Sequence, residues 1–66
     1  MSAQELNKLY TIKEATERIS TEIGREFKER KLLYLIRTER VQAQKVGWIW
    51  VIPEAEVERL VAQYKA

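Results

Sequence analysis

The run Gly47-Trp48-Ile49-Trp50-Val51-Ile52-Pro53 constrains this chain more than any other stretch. Its aromatic and β-branched side chains favour extended backbone, and the preceding Val41, Ala43 and Lys45 alternate with Gln42 and Gln44, so the segment reads as a β-hairpin turning at Gly47. Alternation sends Trp48, Trp50 and Ile52 to one face of the second strand and Ile49 and Val51 to the other. A hairpin apolar on both sides needs one face packed on helices and the other covered or used. The chain has 66 residues, and a domain of that size buries only about 60% of the surface its unfolded chain exposes, which leaves little to cover the second face.

Helical patterns flank the hairpin. Tyr10, Ile12, Ala15, Ile19 and Ile23 recur mostly at three- and four-residue spacing, the period of one helical face. Thr11 and Glu14 have the spacing of a capping box, so helix 1 begins just after Thr11, and Gly24 suits a left-handed C-cap. In the second helix, about Lys28 to Thr38, Leu32, Leu35 and Ile36 cluster on one side with Leu33 at the fringe. Arg30, Tyr34 and Arg37 line the other side, flanked by Lys31. A charged stripe is ordinarily a solvated face; a tyrosine set between arginines points to a contact. Pro53 fits the first position of a third helix, where its missing N–H is not needed. Glu54 and Glu56 then favour that helix's positive end, and Val57, Leu60, Val61 and Tyr64 form its core stripe. The expected fold is α+β, ordered helix, helix, hairpin, helix, over residues 9–66 behind an N-terminal tail over residues 1–8.

Composition narrows the chemistry. Cysteine and histidine are both absent, which removes disulfides, thiolate metal sites and the commonest general base. So short a chain also has little room for a closed small-molecule pocket. The expectation is a protein without catalytic activity, cofactor, metal or small-molecule substrate. No window approaches the roughly 18 apolar residues of a membrane span, and the start MSAQELNKLY lacks the apolar core of a secretory signal, so a soluble, cytoplasmic protein with no membrane partner is expected. The net charge of +2 is unevenly spread: Gly24 to Gly47 holds seven basic and three acidic side chains, giving +4, while the segments before and after each carry −1. An anionic partner would be met in the middle third.

Two motifs carry a resemblance. "YTIKEATERI" at one end and "VQAQKVGWIWVIPEAEVERL" at the other are similar to the winged helix-turn-helix domains of the excisionase and MerR-like families. Tyr10, Thr11, Lys13, Glu14 and Ala15 match the opening pattern; Ala43, Lys45, Val46, Gly47, Trp50, Ile52 and Pro53 match the second, more specific one; Val57 and Leu60 suit the closing helix. The resemblance runs from Leu9 onward. It implies a protein that binds double-stranded DNA sequence-selectively, as an excisionase-like recombination factor or a transcription regulator associated with the nucleoid. Helix 2 would lie in the major groove and the hairpin, as the wing, on the backbone or minor groove. By position, Arg30 and Lys31 would contact bases, Tyr34 and Arg37 phosphate or sugar, and Lys28 and Lys45 the backbone; Thr11, Lys13, Gly47 and Trp48 complete the implied DNA-binding set. Cooperative self-association or a recombinase partner is implied as well.

The chain departs from the family pattern in three places. Ser20 to Arg25 lengthens the connection between helices 1 and 2 and is expected to extend helix 1. Glu39 follows Thr38 where the family has Ser-Gly, so it takes a glycine's place under strain or adopts another turn. Trp48 and Ile49 stand where the wing usually carries arginines. Trp50 matches the family's buried tryptophan and is expected in the core. For Trp48 three readings stay open: packing across the hairpin on Val41 or Ala43, stacking on a sugar or base, or contact with a second protein. An interaction module using the apolar wing is thus the alternative to DNA binding, and a bare structural domain a third reading.

Overall fold

The second strand of the hairpin is the centre of the molecule. In the computed structural model, which describes residues 8–65, the elements run β1 (Leu9–Thr11), α1 (Ile12–Ile23), α2 (Glu29–Arg37), β2 (Gln44–Val46), β3 (Ile49–Pro53) and α3 (Glu54–Lys65). The antiparallel sheet has the order β1-β3-β2, with Tyr10 opposite Ile52 and Lys45 opposite Trp50. The expected order of helix, helix, hairpin and helix holds, and β1 is added to it. Three residues are too few for a periodic signal, and β1 exists because β3 offers it an edge. The tail expected over residues 1–8 lies, apart from Lys8, outside the described residues.

Helix α1 starts as its cap predicts. The Glu14 N–H donates to Thr11 Oγ1 at 3.2 Å and the Thr11 N–H to Glu14 Oε1 at 3.0 Å. It ends at Gly24, whose φ of 76° is the left-handed cap. The expected extension of helix 1 through Arg25 therefore stops at Ile23, because that glycine turns the chain out of the helix. Phe27, one aromatic among charged neighbours, then plugs the connection: it is buried, its N–H donates to Ser20 Oγ at 2.8 Å, and its ring meets Tyr64 of α3 edge-on at 5.1 Å.

The core is one cluster in which Ile19, Leu32, Ile52, Val57 and Leu60 are fully buried. Burying side chains of this size contributes about 1.5–3 kcal/mol each. Helix α2 buries Leu32, Leu35 and Ile36, with Leu33 intermediate, as its spacing predicts. Two ionic ties close the outside. Arg18 donates to Tyr10 Oη at 2.9 Å, to Glu54 and Glu22 at 3.3 Å, and to Glu58, joining α1 to α3. Glu58 first, then Tyr10 and Glu22, hold its guanidinium pKa above the ordinary value. Arg59 donates to Glu56 at 2.7 Å and to the Arg40 carbonyl at 2.8 Å, while the Gln42 N–H donates to Glu56 at 3.2 Å, joining α3 to the α2–β2 connection.

Three expectations about the hairpin need correction. Its first strand covers only Gln44–Val46, because Val41 leaves the sheet plane to enter the core. Trp48 does not share a strand face with Trp50. Gly47 and Trp48 together form the turn, with a glycine φ of 65° at the first central position as in a type II′ turn. Trp50 is half-buried instead of buried: it packs against the margin of the core, one strand-repeat beyond Ile52. Pro53 closes β3 opposite Leu9, and α3 begins one residue later than expected.

Glu39 takes the glycine's place. Its φ is 63°, its N–H donates to the Ile36 carbonyl at 3.0 Å, and the Arg40 N–H donates to the Leu35 carbonyl at 2.9 Å, the two bonds of a Schellman motif. A β-carbon in that region costs about 1–2 kcal/mol, partly offset by glycine's greater backbone entropy. Glu39→Gly should therefore stabilise the fold by about 0.5–1 kcal/mol, measured as a higher urea midpoint at constant m-value.

Acid should loosen the α3 tie. Arg59, then the Gln42 N–H, hold the Glu56 carboxyl below its ordinary value of 4.5. A depressed carboxylate contributes stability above that ordinary value and loses it as pH falls through the folded one. Thermal melts from neutral pH to about pH 3 should show a steeper decline for the native chain than for Glu56→Gln.

Candidate functional site

The outer face of α2 gathers the charges of the middle third. With Leu32, Leu35 and Ile36 buried, Arg30, Tyr34 and Arg37 must face solvent, and all three do; Tyr34 is 55% exposed. Lys28 is the N-cap residue and no side chain caps the helix. Its carbonyl accepts from the Lys31 and Leu32 N–H groups at 3.1 and 3.2 Å, while the Glu29 and Arg30 amides, first in the helix, have no intrahelical acceptor at its positive end. Glu26, Lys28, Arg30, Lys31 and Tyr34 surround one shallow hollow. Four of the expected contact residues are thereby brought together.

Lys31 belongs to that hollow but leans away from the stripe. Its ammonium lies 4.6 Å from the Tyr64 ring centroid and 5.9 Å from that of Phe27, so a ring at the end of α3 and one in the α1–α2 connection hold it. Arg25 reinforces the junction by donating to the Tyr64 carbonyl at 3.0 Å. Sequence spacing gave no sign of this. The available signal was Phe27, an aromatic residue in an otherwise charged connection.

The other end of the stripe meets the hairpin. Arg37 and Glu39 form one wall of a cleft, and Gln42, Ala43 and Trp50 the other. On the same side of the hairpin, Lys45 stands opposite Trp50 with its ammonium 5.0 Å from the ring. The α2 stripe, the cleft and the underside of the hairpin thus form a continuous surface. Thr11 and Lys13 line neither the hollow nor the cleft, and the Thr11 hydroxyl already accepts the cap hydrogen bond.

The opposite face of the sheet has a different character. Leu9, Thr11, Gln44, Val46, Ile49, Val51 and Pro53 share it by register, and none is charged. Leu9, Val46 and Ile49 are each about half exposed or more. At the hairpin tip Trp48 is 87% exposed, which excludes packing on Val41 or Ala43. Among the described residues no helix is long and apolar enough to cross a membrane. No family model matches the chain, and neither the curated proteins nor the solved structures compared with it yield a match.

The junction predicts a small stability effect. Lys31→Met keeps most of the aliphatic stem while removing the charge, and should cost about 0.5–1 kcal/mol in chemical denaturation, the usual worth of an exposed cation–π contact. An unchanged midpoint would mean that the ammonium is not held by the rings.

Proposed function

We propose that the protein binds double-stranded DNA as a small winged helix-turn-helix module, with α2 in the major groove and the β2–β3 hairpin as the wing. The observation that carries this reading is the outward stripe of Arg30, Tyr34 and Arg37 on a helix whose opposite face is core. A helix fits the major groove, where base edges are distinguishable, and arginine can pair bidentately with guanine. Arg30 reads bases; Tyr34 and Arg37 reach phosphate or sugar; Lys28 adds a phosphate contact beside the uncapped amides of α2. Lys31 reaches the duplex by leaving its aromatic rest on Tyr64, and Lys45 meets the backbone from the wing. Glu29, in the first turn, disfavours indiscriminate phosphate binding and suits selectivity.

One module of this size buries about 600–1,000 Å2 on DNA, so its affinity alone is modest and function calls for repetition or a partner. Excisionase-like or regulatory work, on nucleoid DNA in the cytoplasm, is the setting in which such a module fits. The uncharged outer face of the sheet favours a second reading, in which the protein associates with its own copies or with a recombinase through Val46 and Ile49.

Titration of labelled duplex at several salt concentrations tests the DNA reading. With about four to six phosphates neutralised, log K should fall against log salt with a slope of about −4 to −5. Arg30→Ala should lose about 1–3 kcal/mol of binding and relax sequence preference without unfolding, whereas Leu35→Ala should cost about 2–5 kcal/mol of stability. Absence of binding at low salt would sink the reading and leave the protein-contact one standing.

A further inference from the structure

Among the described residues Trp48 packs against almost nothing. It occupies the second central position of the hairpin turn, where the backbone requirement falls on Gly47, and its indole is 87% exposed. Exposure rises steadily along β3 toward this tip: Ile52 is fully buried, Trp50 half-buried, Ile49 51% exposed. The neighbours Val46 and Ile49 are aliphatic, and the hairpin's cation, Lys45, lies over the Trp50 ring. The tip from Val46 to Ile49 therefore presents a large flat aromatic group flanked by aliphatic ones, with Lys45 as the cation behind it.

Geometry limits what such a tip meets if α2 lies on DNA. Arg37 at the end of α2 and Trp50 of the hairpin line one cleft, so the hairpin lies beside that end of α2, and with α2 in a major groove about 12 Å wide the hairpin meets the flanking backbone or the adjacent minor groove. The cleft between Arg37 and Trp50 joins the underside of the hairpin to the α2 stripe. Apolar side chains presented to a minor groove act as wedges that slide between base pairs and unstack them, most easily at flexible pyrimidine–purine steps.

We infer that Trp48 is such a wedge: on a duplex it inserts from the minor groove between stacked base pairs at a TpA-type step beside the site of α2. The inference rests on the DNA reading and adds to it a ligand class, the deformable step, and a mode of contact, stacking. It also accounts for apolar residues at a tip facing an anionic polymer. Phosphate contacts give affinity along the α2 stripe, and the wedge gives preference for sequences that unstack readily.

The test uses an end-labelled duplex of mixed sequence, with guanine-containing segments beside runs of alternating thymine and adenine, in low salt. Affinity is read by anisotropy and unstacking by permanganate oxidation of thymines, which attacks unstacked bases. At saturation the native chain should make thymines hyperreactive. Trp48→Ala, folded by circular dichroism, should bind about ten-fold more weakly and at saturation leave thymine reactivity at the level of free DNA, while Trp48→Phe restores part of the effect. Arg30→Ala should bind more weakly yet give full hyperreactivity once saturated. In Trp50→Phe, with Trp48 as the remaining tryptophan, emission should be quenched by DNA and become protected from iodide.

Native-like hyperreactivity in saturated Trp48→Ala, or iodide access to Trp48 in the saturated complex, would overturn the inference while leaving DNA binding intact. Loss of self-association in sedimentation with unchanged hyperreactivity would assign Trp48 to a protein contact and overturn it too. Failure of the native chain to bind at all sinks the DNA reading and the wedge together.

Discussion

A five-residue strand paired on both edges but covered on one face governs this molecule. β3 hydrogen-bonds β1 on one side and β2 on the other, and packs against both α1 and α3 through its inward side chains. Ile52 enters the core and Tyr10 follows it from the neighbouring strand. Because residues alternate, that placement commits Ile49 and Val51 to the outer face. A chain of 66 residues has no further layer among its described elements to cover that face, so the exposed apolar surface follows from the same alternation that builds the core.

Presentation of α2 depends on its two ends more than on its length. At one end Phe27 and the Ser20 hydroxyl fix the connection from α1, and Tyr64 closes over it. At the other, a Schellman turn at Glu39 directs Val41 into the core and so starts the approach to the hairpin. Between these fixed ends the outward stripe is carried as on a rigid rod. Arg18, through Glu54 and Glu58, and Arg59, through the Arg40 carbonyl, add surface cross-links between α3 and the rest; contacts of this exposure contribute at most modestly.

Much of this was legible because it is periodic or capped. The Thr11–Glu14 box, the Gly24 cap, the split faces of α2 and the turn at Gly47 each depend on local chemistry, and each lies where the sequence puts it. The residue at position 39 was legible through its departure: a glutamate in a glycine's place adopted the glycine's conformation. What escaped is tertiary. β1 is set by an edge that β3 provides, Phe27 by a hole between α1, α2 and α3, and the rest position of Lys31 by two rings far apart in sequence. Trp50 was expected deeper than it lies because strand alternation gives a face but not the depth at which the helices stop. For the site, spacing grouped Arg30, Tyr34 and Arg37 correctly on one surface, but could not join Arg37 to Trp50 across a cleft.

The central claim is that α2 meets DNA through its outward stripe while the outer face of the sheet does not. Amide and side-chain chemical shifts followed by NMR as duplex DNA is added in low salt test it most directly. The account predicts the largest changes at the Lys28 to Arg30 amides, the Arg30 and Arg37 guanidinium groups, Lys45 and the Gly47–Trp48 turn, with Leu9, Val51 and the first turns of α3 nearly unmoved. Changes concentrated at Leu9, Gln44 and Val51, with the α2 signals still, would contradict it.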